Sequence, residues 1–178
     1  MAKIGIFFGT DTGNTRKMSK MMAKKIGEDA AKPLNVNRTS VADMLEYDYL
    51  ILGAPTLGDG ELPGLSAGAE AESWEEFLPE LSGEDLSGKT IALFGMGDQV
   101  GYPDNFVDAI GIIYEELVDS GAKFVGFWST EGYDYASSRA VEDDEFVGLV
   151  LDQENQSDLH EERIDQWLEL ISPEFGLS

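Results

Sequence analysis

The chain has 178 residues, 42% of them hydrophobic and 26% charged, and its 35 acidic against 12 basic side chains leave a formal net charge of −23. That is one domain's worth of polymer on the prior of roughly 100–200 residues per domain, and the composition excludes intrinsic disorder, while no apolar run approaches the roughly 20 residues of a membrane span. The charge repels phosphate backbones and anionic membranes, so neither nucleic acid nor membrane is an expected partner; the lack of cysteine and the single histidine, His160, exclude disulfides, thiolate nucleophiles and Cys- or His-rich metal sites, so no metal is expected.

Any redox chemistry must therefore come from a bound group. The opening MAKIGIFFGTD runs into a strand-like pattern without a basic leader, an apolar stretch or a cleavage site, which predicts a cytoplasmic protein. Charge is uneven along the chain: residues 1–40 hold eight Lys/Arg against three Asp/Glu, and the remainder is strongly acidic.

Residues 3–8 read as a first buried strand. TDTGNT follows, packing three hydroxyls, an Asn and a Gly into six residues ahead of a helix that should begin near Arg16. A helix amino terminus offers unpaired N–H groups and partial positive charge, Gly13 allows close backbone approach, and Thr10, Thr12 and Thr15 can donate to a phosphate. The same residue types also cap helices. Neither GxxxxGK[ST] nor GxGxxG is present, which points to a monophosphate ester rather than a triphosphate or dinucleotide.

In the helix itself Met18, Met21, Met22 and Ile26 share one face, with Lys17, Lys20 and Lys24 largely on another; this spacing means core packing, not a soft metal site. Residues 34–37 are a short strand candidate, and 49–53 a full one. Next comes APTLGDGELPGL, long and glycine-rich where a flat ligand would meet the protein. Gly58 before Asp59 suits a turn whose central peptide flips. Glu75 and Glu76, like Glu115 and Glu116 further on, read as solvated faces.

Strand 90–95 leads into MGDQVGYPDNF, where Pro103 favours extended backbone at Tyr102 and projects its phenol toward a planar ligand. Phe106, Ile110, Ile113 and Leu117 repeat at helical spacing, residues 123–128 form a further strand, and Ile164, Trp167, Leu168 and Ile171 mark a final helix. His160, among Asp158, Glu161 and Glu162, reads as a solvated helical residue. Strands alternating with helices imply right-handed crossovers and a doubly wound α/β domain, whose ligand sits beyond the strands' carboxyl ends.

TDTGNT, PTLGDGEL, FGMGDQVGYPDNF and FVGLVLDQENQS, in this order and at these intervals, resemble the long-chain flavodoxins over essentially the whole chain. The resemblance implies a single domain over 1–178: a five-stranded parallel sheet in the order 2-1-3-4-5 with helices on both faces, and an insertion near 129–145 splitting the last strand into 123–128 and 146–151. It implies noncovalent flavin mononucleotide (FMN) and low-potential one-electron transfer between semiquinone and hydroquinone, with no catalytic residue of the protein's own. Thr10, Asp11, Thr12, Gly13, Asn14 and Thr15 would form the phosphate loop. Pro55, Thr56, Leu57 and Gly58 would cover one face of the isoalloxazine, with Leu57 standing where tryptophan is frequent. Tyr102 would stack on the other face, and Gly95, Met96, Gly97, Asp98, Asn105 and Asp152 would supply further ring and ribityl contacts.

The flip at Gly58–Asp59 would then present a carbonyl to the protonated flavin N5. Carboxylates at Asp59, Glu61, Asp98 and Asp104 would lower the second potential, since a unit charge about 8 Å away at an effective dielectric of about 20 is worth roughly 2 kcal/mol. The stretch ELPGLSAGAEAESWEEF resembles the nitrogen-fixation-associated subgroup, so the expected partners of this monomer are redox proteins with basic docking faces, a reductase as donor and the nitrogenase iron protein as acceptor. The alternative is a flavin-dependent reductase of a small quinone-like substrate, which would need a second pocket and cationic groups that the acidic loops do not show. A phosphorelay receiver is excluded because the third strand exits into GAPT instead of an Asp.

Overall fold

The computed structural model describes residues 3–9, 13–57, 60–68 and 72–177. The first strand, β1 (Ile4–Phe8), is buried along its length, and helix α1 (Asn14–Ile26) follows, starting two residues ahead of Arg16. Strand β2 (Leu34–Asn35) is shorter than 34–37 because the Asn35 side chain accepts from Asn37 N at 3.1 Å and turns Val36–Arg38 into a 3-10 helix. The short helix α2 (Val41–Met44), opened by a Ser40–Asp43 capping box, leads to β3 (Tyr49–Pro55).

A 3-10 turn at Leu65–Ala67 precedes α3 (Trp74–Ser82), then β4 (Thr90–Met96) and α4 (Asp108–Leu117). Glu75 and Glu76 are not simply solvated. Glu76 accepts from Leu65 N and Ser73 N at 3.2 and 2.8 Å, and Glu75 accepts from Ser66 N at 3.2 Å and from the Ser66 hydroxyl. They pin Leu65 and Ser66 against the start of α3. Glu115 pairs with Arg139 at 2.6 Å.

The last strand is split. β5 (Lys123–Val125) pairs with Thr90–Ala92 of β4, and β9 (Gly148–Leu151) pairs with Leu93–Met96 of the same strand, so the sheet order is β2-β1-β3-β4-β5 with β9 continuing the edge. Each half is shorter than 123–128 and 146–151. Gly126, at φ 81, turns the chain out of the sheet while its carbonyl accepts from Trp167 Nε1 at 2.8 Å. Beyond it, β6 (Trp128–Ser129), β7 (Val141–Glu142) and β8 (Glu145–Phe146) form a separate antiparallel sheet in the order β6-β8-β7. At Gly148 a Cβ would stand 2.1 Å from the Leu93 carbonyl oxygen, so only glycine lets the second half close on β4.

The chain ends in a short helix α5 (Gln153–Gln156), a 3-10 turn and α6 (His160–Ile171). Strand alternation sends Ile4, Ile6, Ile51, Ala92 and Phe94 to one face, where Met18 and Met22 of α1 and Ile164, Trp167 and Ile171 of α6 cover them. Phe7, Leu50, Leu52, Ile91 and Leu93 point the other way, into Trp74, Phe77 and Leu81 of α3 and Ile110, Ile113 and Leu117 of α4. Phe106 is buried with them but lies ahead of α4. Both faces of the sheet are thus consumed by packing, and the carboxyl ends of the strands are left for a ligand.

Candidate functional site

The carboxyl ends of β1, β3 and β4 and the amino end of α5 enclose a cleft of about 400 Å³. Asn14 and Thr15 line it from α1, Pro55, Thr56 and Leu57 from the end of β3 and its loop, and Met96, Gly97, Asp98 and Tyr102 from β4 and the loop after it. Nine residues read from the sequence as ligand contacts therefore meet in one place. Ala67, Gln153 and Glu154 also line the cleft and had not been singled out. Thr10, Asp11, Thr12, Gly58 and Asp59, with the proposed peptide flip, lie outside the described residues.

Gly13 caps α1 at φ 93, a left-handed conformation that favours glycine even though a Cβ there would meet nothing within 4 Å. Thr15 is 1% exposed, yet its hydroxyl has no hydrogen-bond partner among the described residues. An unpaired hydroxyl costs free energy unless something arrives to accept from it. No acidic residue occupies the first turn of α1, so the positive end of the helix dipole faces the cleft without a carboxylate of its own.

The exit of β3 is tied on three sides. Thr56 N donates to Met96 O at 3.1 Å, the Thr56 hydroxyl accepts from Ala109 N at 2.9 Å, and Leu57 and Glu61 exchange two backbone bonds at 2.9 and 2.7 Å that close the loop between them. Behind this, the Gly53 carbonyl accepts from Gly9 N at 3.0 Å and from Trp74 Nε1 at 2.8 Å, clamping the exits of β1 and β3 to α3. Val107 takes a left-handed φ of 50 at the start of α4, an outlier for a buried β-branched residue, and packs against Gly97.

Asp98 organises the loop after β4. Its Oδ1 accepts from Gly101 N at 2.8 Å, Val100 N at 3.0 Å and Asn155 Nδ2 at 2.8 Å, and its carbonyl accepts from Tyr102 N at 2.9 Å. The Gly101 N–H, helped by the Asn155 amide and the Val100 N–H, holds the carboxyl below its usual range, so it stays ionised. Tyr102 is 49% exposed and presents its ring along the cleft.

Three of the sequence-derived contacts sit elsewhere. Gly95 is a packing position, where a Cβ would come within 2.9 Å of Ile110. Asn105 lies under Gly60, which a Cβ would place 3.2 Å from the Asn105 Oδ1. Asp152 is fully buried behind the cleft: its carboxylate accepts from Gln99 N and Nε2, from Glu154 N, and from Asn155 N and Nδ2, all between 2.7 and 3.1 Å. That saturated carboxylate braces the loop and caps α5, thereby setting Gln153 and Glu154 into the cleft.

His160 is not solvated. It is 5% exposed; its Nε2 donates to the side-chain oxygen of Gln153 at 3.1 Å, while Nδ1 is buried without a partner among the described residues. Burial pushes the imidazole below its ordinary value, with Arg163 adding to the effect and Asp152 and Asp158 opposing it. A depressed value means the unfolded chain takes up the proton first. The stability from a neutral His160 is complete above about pH 6.5 and is lost as pH falls from there toward the folded-state value. His160→Gln is expected to remove that part of the acid sensitivity, which urea melts at pH 7.5 and 5.5 would show as a smaller difference than in the parent.

The flavodoxin family model matches residues 6–167. The chain is 57% identical over 171 residues to the flavodoxin of Klebsiella pneumoniae, covering 96% of this chain and 97% of that one, and 45% identical over 175 residues to the flavodoxin of Nostoc sp. strain PCC 7120, covering 98% of each. Among solved structures, the flavodoxin of Fusobacterium nucleatum bound to flavin mononucleotide superposes with a TM-score of 0.85 at 34% identity, over 98% of this chain and 99% of that one. Full-length sequence likeness and a cleft at the same carboxyl edge of a 2-1-3-4-5 sheet lead to one conclusion: the chain belongs to the flavodoxin family of electron-transfer proteins, which are carriers and not enzymes.

Proposed function

We propose that this chain is a low-potential one-electron carrier that holds FMN noncovalently in the cleft between β1, β3 and β4. When bound, the flavin supplies the redox chemistry, taking up and releasing electrons singly. The observation that carries the reading is the buried, unpartnered Thr15 hydroxyl at the positive end of α1, which suits a phosphate oxygen and little else. The cleft's volume falls within the roughly 300–1,000 Å³ of small-molecule sites.

Asn14 and Thr15 would hold the phosphate, Leu57 and Tyr102 would flank the ring, and Thr56, Gly97 and Asp98 would meet its polar edges. The residues do two further things. Leu57, Met96 and Tyr102 would shield the bound ring from water, and the ionised Asp98 opposes further negative charge on whatever lies beside it, which lowers the potential of the last reduction. In this reading the chain is a cytoplasmic monomer, and its excess of 35 acids over 12 bases supports docking on basic faces of a reductase and an acceptor. The resemblance of the ELPGLSAGAEAESWEEF stretch to the nitrogen-fixation-associated subgroup, with the 57% identity to the Klebsiella pneumoniae flavodoxin, supports the nitrogenase iron protein as that acceptor.

Thr15→Val tests this reading with two signs at once. The apoprotein should be as stable as the parent or slightly more so, because an unsatisfied hydroxyl is removed, while FMN affinity falls about tenfold for the lost charge-assisted bond. Riboflavin, which has no phosphate, should bind both proteins equally. Equal loss for FMN and riboflavin in fluorescence titrations would place Thr15 away from the phosphate.

A further inference from the structure

A second, separate cleft of about 240 Å³ opens beside the carboxyl end of β2. Arg16, Lys32 and Arg38 converge on it, joined by the amides of Asn35 and Asn37, while Phe8, Pro33 and Leu34 supply an apolar wall. Among the described residues none of the three forms an ion pair, so all three charges are available to an anion.

We propose that this cleft is an anion site for a small organic phosphate of the nucleoside monophosphate kind. Two guanidinium groups and an ammonium match a phosphate dianion, the guanidinium groups by paired N–H donors and the lysine as a point charge. The Asn35 side-chain oxygen is already occupied by Asn37 N, so its amide presents N–H₂ outward. Leu34, 39% exposed on the edge strand, and Pro33 offer a flat apolar surface on which a ring can lie. The site is distinct from the flavin cleft, because Thr15 lines that one and its neighbour Arg16 lines this one, on different sides of α1.

The experiment uses the whole chain with FMN in excess, so that the flavin phosphate site is filled, and adds AMP, adenosine or inorganic phosphate while backbone amide shifts are followed by NMR. AMP should bind with one-site behaviour and shift the amides of residues 34–38; adenosine should bind at least tenfold more weakly; raising salt should weaken AMP. Lys32→Gln and Arg38→Gln should each reduce AMP affinity about tenfold, with an unchanged flavin spectrum showing that the fold is intact. Absence of AMP binding, or AMP binding unchanged in both variants, would overturn the proposal. Inorganic phosphate binding as tightly as AMP would overturn the assignment of an organic phosphate. Loss of the flavin signal itself would instead bear on the FMN reading.

Discussion

Replacing Asp152 with Ala should destabilise the protein by about 3–5 kcal/mol and weaken FMN binding at least tenfold, although the side chain does not line the cleft. The carboxylate is fully buried and answers the donors of Gln99, Glu154 and Asn155. Removing it strands buried N–H groups, each costing about 1–3 kcal/mol, of which water can repair only some. The damage spreads in two directions. Gln99 also accepts from Asp134 N at 2.5 Å, which anchors the insertion, and Asn155 supports Asp98, which builds the turn carrying Tyr102. Asp152→Asn keeps one acceptor and the cap on α5, so about half the loss is expected. Urea unfolding of the apoproteins measures the first effect and flavin fluorescence the second; an Ala variant within 1 kcal/mol of the parent would remove Asp152 from its bracing role.

Trp74→Ala comes next, at about 3–5 kcal/mol for emptying the space of a fully buried indole. This position differs from an ordinary core tryptophan. Its Nε1 donates to the Gly53 carbonyl, the same acceptor that Gly9 N uses, at the point where β1 and β3 send their chains into the ligand loops. Trp74→Phe keeps most of the ring and removes the donor, for about 1–2 kcal/mol. Both variants should lose FMN affinity as well as stability, since the two loops would no longer leave the sheet in a fixed relation. Denaturation and FMN titration on the same samples check this. A Trp74→Phe protein of normal FMN affinity would confine the residue to packing.

The sequence made the frame legible because buried parallel strands carry a strong signal. β1, β3 and β4 end within two residues of where apolar runs give way to glycine and polar loops. The β6-β8-β7 sheet was not legible: strands of two residues have no periodicity, and their pairing depends on Gly126 turning the chain out. Loop composition led to Asn14, Thr15 and Tyr102, and the family resemblance to Leu57 and Asp98. Gln153 and Glu154 follow from a signal that was present, an Asp ahead of a helix start, but Asp152 itself looked like a ligand contact when it is a cap. Ala67 had no signal at all. His160 misled because its sequence neighbours are acidic, whereas its burial arises from packing against Gln153 in a helix whose position only the tertiary fold defines.

Removing any bound flavin and titrating the refolded full-length chain with FMN probes the central assignment most directly, through flavin fluorescence. Saturable quenching at one FMN per chain, with submicromolar affinity, is the predicted outcome. Fluorescence that stays unquenched at saturating FMN, while circular dichroism shows a folded apoprotein, would contradict it.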